Sequence, residues 1–135
     1  MTKVLSMETR PYYAQVALFD PTVTDSYPDW GMGHEEAVAS RNGIAVETRP
    51  DHLGPVAIEV WTGTFDGTRL QRLVLEGDMT VLGNRGVVVG SVTGNDLRHV
   101  AIPAGVHRVF VYANRERGDV DGVYFVVDPV GDQDT

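Results

Sequence analysis

The stretch Ile102-Pro-Ala-Gly-Val-His-Arg-Val-Phe-Val-Tyr-Ala113 limits the possible folds of this chain more than any other part of it. Pro103 and Gly105 make a turn. After it, Val106, Arg108, Phe110 and Tyr112 alternate with His107, Val109 and Val111. A period of two carried by β-branched and aromatic residues fits a pleated, half-buried strand. The aromatic face is expected to be the buried one, with Phe110 in the core and His107 exposed. Leu97–Ile102 reads as a second strand, so the two should form a hairpin or a tight corner at the centre of the fold.

The same grammar of short apolar runs between turn residues repeats along the chain. Tyr12–Phe19 reads as a strand with two apolar faces, ended by Asp20-Pro21, because proline cannot donate to a ladder. A loop broken by Pro21, Pro28, Gly31 and Gly33 follows. Asn42-Gly43, between Glu35–Arg41 and Ile44–Thr48, points to a type I′ hairpin turn with positive φ at both central residues. A short helix through 34–40 is the competing reading. Val56–Thr62 puts Val56, Ile58, Val60 and Thr62 on one face, and Ala57, Glu59 and Trp61 on the other. A turn at Asp66-Gly67 precedes an extended run, Leu70–Leu82, expected to bend at Gly77. Gly83–Gly86 turns it back into Val87–Val92, Gly94-Asn95-Asp96 leads to the Leu97 strand, and Val123–Val127 is the last strand.

Eight or nine short strands with no convincing helix predict an all-β fold: an antiparallel two-sheet β-sandwich. Strands apolar on both faces favour the sandwich over a closed barrel. At 135 residues the chain reads as a single sandwich domain with short disordered ends, including an acidic tail over 128–134.

Composition narrows the function classes. The absence of cysteine excludes disulfides, thiolate zinc sites and thiol catalysis. The N-terminal residues lack the apolar core of a signal peptide, and no run approaches the roughly 20 apolar residues of a membrane span. A soluble, cytoplasmic protein is the expectation. A net charge of −8 disfavours nucleic acid and anionic membrane as direct partners, and suits either plain solubility or a basic protein partner.

No residue set demands a reaction or a cofactor. His34, His52, His99 and His107 are widely spread, and a His99–His107 pair lacks the further ligands a metal requires. Asp66, Asp96, Asp119 and Asp121 are loop aspartates of the kind that gather as a calcium site at one end of a sandwich, although Asp and Gly are also what turns use. Arg117-Gly118-Asp119 is too short to carry an adhesion function. No serine sits in a Gly-x-Ser-x-Gly elbow, and no lysine follows the glycine-rich 83–90. Trp61, within a strand, reads as core. Trp30, in a loop among Tyr27, Pro28, Asp29 and Met32, is the better anchor for a partner.

Taken in order, the chain resembles the small bacterial competence protein J family. The resemblance lies in an aromatic strand ending in Phe19-Asp20, Trp30 ahead of the hairpin Asn42-Gly43-Ile44-Ala-Val46, the Pro103-Ala-Gly105 turn, Tyr112, and the terminal Tyr124-Phe-Val-Val-Asp128. His107 stands where that pattern leads one to expect an aromatic. The known member of the family inhibits a DNA-entry nuclease. The resemblance therefore implies a non-enzymatic inhibitor that binds a nuclease or similar basic protein through an acidic surface. Asp25, Asp29, Trp30, Glu35 and Glu36 are the expected partner-binding residues. A sugar- or calcium-binding module and a structural or assembly subunit are the alternatives.

Overall fold

The computed structural model describes residues 1–31, 33–64, 71–91 and 96–129. They form ten strands: β1 Thr2–Thr9, β2 Gln15–Phe19, β3 Ala37–Ser40, β4 Gly43–Glu47, β5 Val56–Thr62, β6 Arg72–Val81, β7 Val87–Gly90, β8 Arg98–Val100, β9 Gly105–Ala113 and β10 Gly122–Pro129. Helix among the described residues is confined to 3-10 turns at Tyr12–Ala14 and Asp51–Leu53. The strands make two five-stranded sheets, β1-β5-β10-β9-β6 and β3-β4-β2-β7-β8. Neighbours are antiparallel except β5 and β10, which run parallel. The fold is the expected β-sandwich, with ten strands in place of eight or nine.

The core lies between the sheets. Val56, Ile58 and Val60 of β5, Val123, Phe125 and Val127 of β10, and Val109 and Val111 of β9 meet Val16 and Leu18 of β2, Ile44 and Val46 of β4, and Val87 and Val89 of β7. Each set follows the period of two, and β5 faces as its alternation predicts.

β9 is turned the other way from expectation. His107, Val109, Val111 and Ala113 face the core, while Arg108 and Phe110 point outward and are only half-buried. Arg108 decides this. A guanidinium cannot be left in an apolar core, and on the outer face it pairs with Glu76 at 2.6 Å and Asp78 at 3.0 Å. His107 is 2% exposed and is tolerated there because its Nε2 lies 2.7 Å from the Pro103 carbonyl, to which it donates. Nor do β8 and β9 form a hairpin. The chain crosses from one sheet to the other at Ala101–Ala104, so the turn is a corner between sheets and β8 is an edge strand.

Further departures have local causes. The N-terminal residues are not a frayed end but β1, paired along β5, with a bulge between Lys3 and Leu5 that breaks the sequence periodicity. The bulge in β6 falls between Leu73 and Leu75, not at Gly77. Asp128 lies within β10, in register with Arg108. The Asp66-Gly67 turn, Gly94-Asn95 and the tail beyond Pro129 fall outside the described residues. The β3–β4 hairpin is present, but none of Arg41, Asn42 and Gly43 has positive φ, so the turn is not type I′. Gly43 is required for another reason: a Cβ there would run into the Ser26 carbonyl and come within 2.8 Å of the Phe19 Cβ. The turn is fixed by tertiary bonds. Asn42 Nδ2 donates to the Thr80 carbonyl and the Thr80 N–H to the Arg41 carbonyl, each at 2.8 Å, tying the two sheets together along the β3–β6 side.

At the same end, the buried Asp20 accepts from the Thr22 N–H and hydroxyl and from the N–H groups of Leu82 and Gly83. Burial pushes its carboxyl up, but these bonds together outweigh that and hold it below the ordinary carboxylate value. Such a group stabilises the fold above its unfolded value of about 3.9 and ceases to as pH falls through the depressed value. The stability of the native protein, measured by urea unfolding, should therefore fall more steeply below about pH 4 than that of Asp20→Asn. Equal slopes would show that Asp20 carries none of the acid sensitivity. Phe125→Ala should cost about 3–5 kcal/mol, as for other buried aromatics, and Phe110→Ala clearly less. Equal costs would contradict the outward placement of Phe110.

Candidate protein-binding surface at one end of the sandwich

The end of the sandwich opposite Asp20 is built from four segments: the 3-10 turn before β2, the loop entering β3, the loop 48–55 after β4, and the β9–β10 loop 114–121. Each would be a mobile connection alone. Arginines fasten three of them to one another, and the Thr48 N–H, donating to the Ala14 carbonyl, holds the 3-10 turn.

Arg72, at the start of β6, forks onto Glu36 with Nη1 and Nη2 at 2.8 and 2.6 Å, and also donates to the Arg115 carbonyl. The bonds to Glu36 raise the Arg72 pKa above its ordinary value. Arg117 reaches Glu47 at 3.1 Å and the His34 carbonyl at 3.0 Å. Arg49 donates to the Pro55 carbonyl at 2.7 Å and stands 3.7 Å from Asp121. Asp121 also accepts from Asn114 at 2.6 Å and Arg115 at 3.2 Å. The Asn114 hydrogen bond, helped by the Arg115 and Arg49 charges, holds its carboxyl below the ordinary range. Singly, exposed pairs of this kind contribute little. Here bidentate geometry and shared partners join three loops into one network.

The network leaves a surplus of negative charge. Asp29, Glu35, Asp51, Glu116 and Asp119 enter none of these ion pairs. A cleft of about 530 Å³ opens between Arg49, Leu53, Arg115, Glu116, Asp119 and Asp121. Beside it a smaller groove of about 210 Å³ is lined by Tyr13, Ala14, Gln15, Trp30 and Glu47. Trp30 is half-buried, its indole N–H donating to Gln15 Oε1 at 2.8 Å. Tyr13 projects from the rim, 79% exposed.

Of the residues expected to meet a partner, Asp29, Trp30, Glu35 and Glu36 gather at this end. Asp29 caps the Gly31 N–H at 2.9 Å, and Glu36 is engaged by Arg72 rather than free. Asp25 does not join them: its neighbour Ser26 accepts from Ser40 Oγ at 2.6 Å, beside Gly43 at the other end of the sheet. Trp61 is not core. It lies half-buried on the outer face of its sheet, donating to Glu59 at 2.9 Å with Lys3 Nζ 5.9 Å from the ring centroid. His99 is exposed on β8 and His107 is buried in the other sheet, so they form no pair. Of the loop aspartates, Asp121 is committed to Arg49, Arg115 and Asn114, Asp119 is exposed, and Asp66 is outside the described residues. Among the described residues, no three His, Asp or Glu side chains are grouped to hold a metal, and no helix is long and apolar enough to cross a membrane.

The sequence reading missed Tyr13, Gln15, Glu47, Arg72 and Arg117. The alternation puts Tyr13 in a strand, although Pro11 immediately before Tyr12-Tyr13 signals that the strand starts later. The arginines carry no local signal, because their partners lie 36 and 70 residues away.

Arg72→Ala should increase amide hydrogen exchange in 33–36 and 114–119 while leaving the centres of β9 and β10 protected. Unchanged exchange in these loops would mean that the fork does not hold them.

No family model and no curated protein matches the chain. A search of solved structures finds ComJ from Bacillus subtilis, an inhibitor of the DNA-degrading activity of NucA, at a TM-score of 0.74 and 14% identity, over 96% of this chain and 98% of that one. This chain shares the ComJ fold over 96% of its length, and the resemblance to the competence protein J family is confirmed at the level of fold.

Proposed function

We infer that this protein is a non-enzymatic inhibitor that binds a basic protein, a nuclease, through the arginine-fastened end of the sandwich. The observation that carries the reading is the surplus of unpaired carboxylates, Asp29 and Glu35 foremost, beside Trp30 and the exposed Tyr13 on loops already held in place. The shared fold with a nuclease inhibitor supports it.

The chemistry is complementary. A nuclease holds its phosphate-bearing substrate in a basic cleft, and an acidic surface that fills the cleft competes with the phosphates. Carboxylates at the rim raise the encounter rate, and a half-buried aromatic supplies residence time. Loops ordered before binding lose less entropy on association. A chain without cysteine is indifferent to reduction, which suits action in the cytoplasm.

Affinity capture from the source cell should return a basic nuclease that this protein inhibits. Association should slow several-fold as salt rises from about 0.05 to 0.5 M, because exposed charges are screened within a Debye length of about 8 Å at physiological ionic strength. Trp30→Ala should mainly speed dissociation, and Asp29→Lys with Glu35→Lys mainly slow association. A captured partner that is not a nuclease, or binding indifferent to salt and to these residues, would overturn the reading.

A further inference from the structure

We propose that the groove between Tyr13 and Trp30 receives the guanidinium of an arginine side chain, and that the backbone at Tyr13–Ala14 is held in a left-handed conformation to keep the Tyr13 ring at its rim. The proposal deepens the inhibitor reading and rests on it for the partner's identity, though not for the chemistry of the groove.

Tyr13 has φ 60° and ψ 23°, and Ala14 has φ 56°. They are the two non-glycine residues of the described chain with positive φ. Neither is an asparagine or aspartate, the types that visit this region most readily, and each costs on the order of 1–3 kcal/mol there. The surroundings enforce the conformation. The Ala14 N–H donates to the Pro11 carbonyl at 2.8 Å and the Thr48 N–H to the Ala14 carbonyl at 2.8 Å. The Tyr12 N–H bonds to the Arg10 carbonyl at 2.9 Å and lies 3.2 Å from Ser91 Oγ. An extended chain here would send successive side chains to opposite faces of the sheet. The left-handed pair instead leaves Tyr13 largely in solvent, on the same groove as Trp30.

The groove selects its occupant by charge and shape. Glu47 lines it and keeps 30% of its side chain exposed, although Arg117 already donates to its carboxylate. Asp29 and Glu35, on the segment that carries Trp30, are not ion-paired. The local field therefore attracts a cation. Two aromatic side chains at the groove favour a planar guanidinium over an ammonium, because it stacks on rings while its charge answers the unpaired carboxylates nearby.

The test uses N-acetyl-arginine methylamide as probe, with the norleucine analogue as the neutral control, titrated into the full chain and followed by NMR. The Trp30 indole N–H, assigned with Trp61→Phe, should shift saturably with the arginine probe and not with norleucine. Tyr13→Gly, which removes the ring and suits positive φ, should weaken that response at least about tenfold, the loss expected of an anchor residue, while its melting temperature stays equal or rises. Tyr13→Asn, also tolerant of this conformation, should behave alike. Equal shifts with both probes, or a full response in Tyr13→Gly, would overturn the proposal. Against a captured nuclease, full inhibition by Tyr13→Gly would overturn it while leaving the inhibitor reading intact. A positive arginine titration with no nuclease captured would uphold the groove and sink the inhibitor reading.

Discussion

Arg108 fixes the orientation of β9, and much of the structure depends on that orientation. A guanidinium in mid-strand must reach water or a carboxylate, and Glu76 and Asp78 on β6 meet it on the outer face. Val109 and Val111 then have to point inward, against Phe125 and Val127 of β10 by way of the sheet register. A shift of one residue would reverse every side chain of the strand. Because β9 is paired on both sides, its orientation also sets those of β6 and β10, and through β10 the position of the loop 114–121.

The two ends of the sandwich are closed by different physics. At one end, a buried carboxylate takes backbone N–H groups from two segments. Removing it would take the acceptor from the Thr22, Leu82 and Gly83 N–H groups at once, so that end is suited to stability. At the other, exposed arginines tie loops to carboxylates and carbonyls. Each such pair adds little to stability, yet together they limit which loop conformations are available. That division suits a molecule whose second end meets something else.

The sequence displayed the strands whose alternation is unbroken. Val56–Val60, Ile44–Val46 and Val123–Val127 were legible because each places aliphatic residues on one face, and Gly43 marked its hairpin although for steric room rather than positive φ. What escaped depended on contacts distant in the chain. β1 was hidden because the bulge near Val4 shifts its period midway. The outward turn of Phe110 was hidden because bulk argued for burial while the charge of Arg108, two residues before, argued against it, and the charge is the larger effect. The corner at Pro103 looked like a hairpin because a turn signal does not say whether the next strand joins the same sheet. For the candidate site, Trp30 and its acidic neighbours could be read from loop composition. The arginines that hold the loops together could not.

Tyr13 is the case in which local and global preferences conflict most openly. Local propensity favours an extended Tyr12–Ala14 continuing into β2, as the alternation suggested. Native sequences are mostly consistent across these levels, and departures tend to mark sites kept for something other than stability. The same hydrogen bonds that enforce the left-handed turn also place the rest of the groove. The Thr48 N–H, bonded to the Ala14 carbonyl, adjoins Glu47, and Gln15, which receives the Trp30 indole, follows directly. Letting Tyr13 and Ala14 extend would redirect the Ala14 carbonyl away from the Thr48 N–H that it now accepts from. The exposed ring and the neighbouring backbone bonds thus share a single backbone conformation, whereas the Glu47 carboxylate is held separately by Arg117.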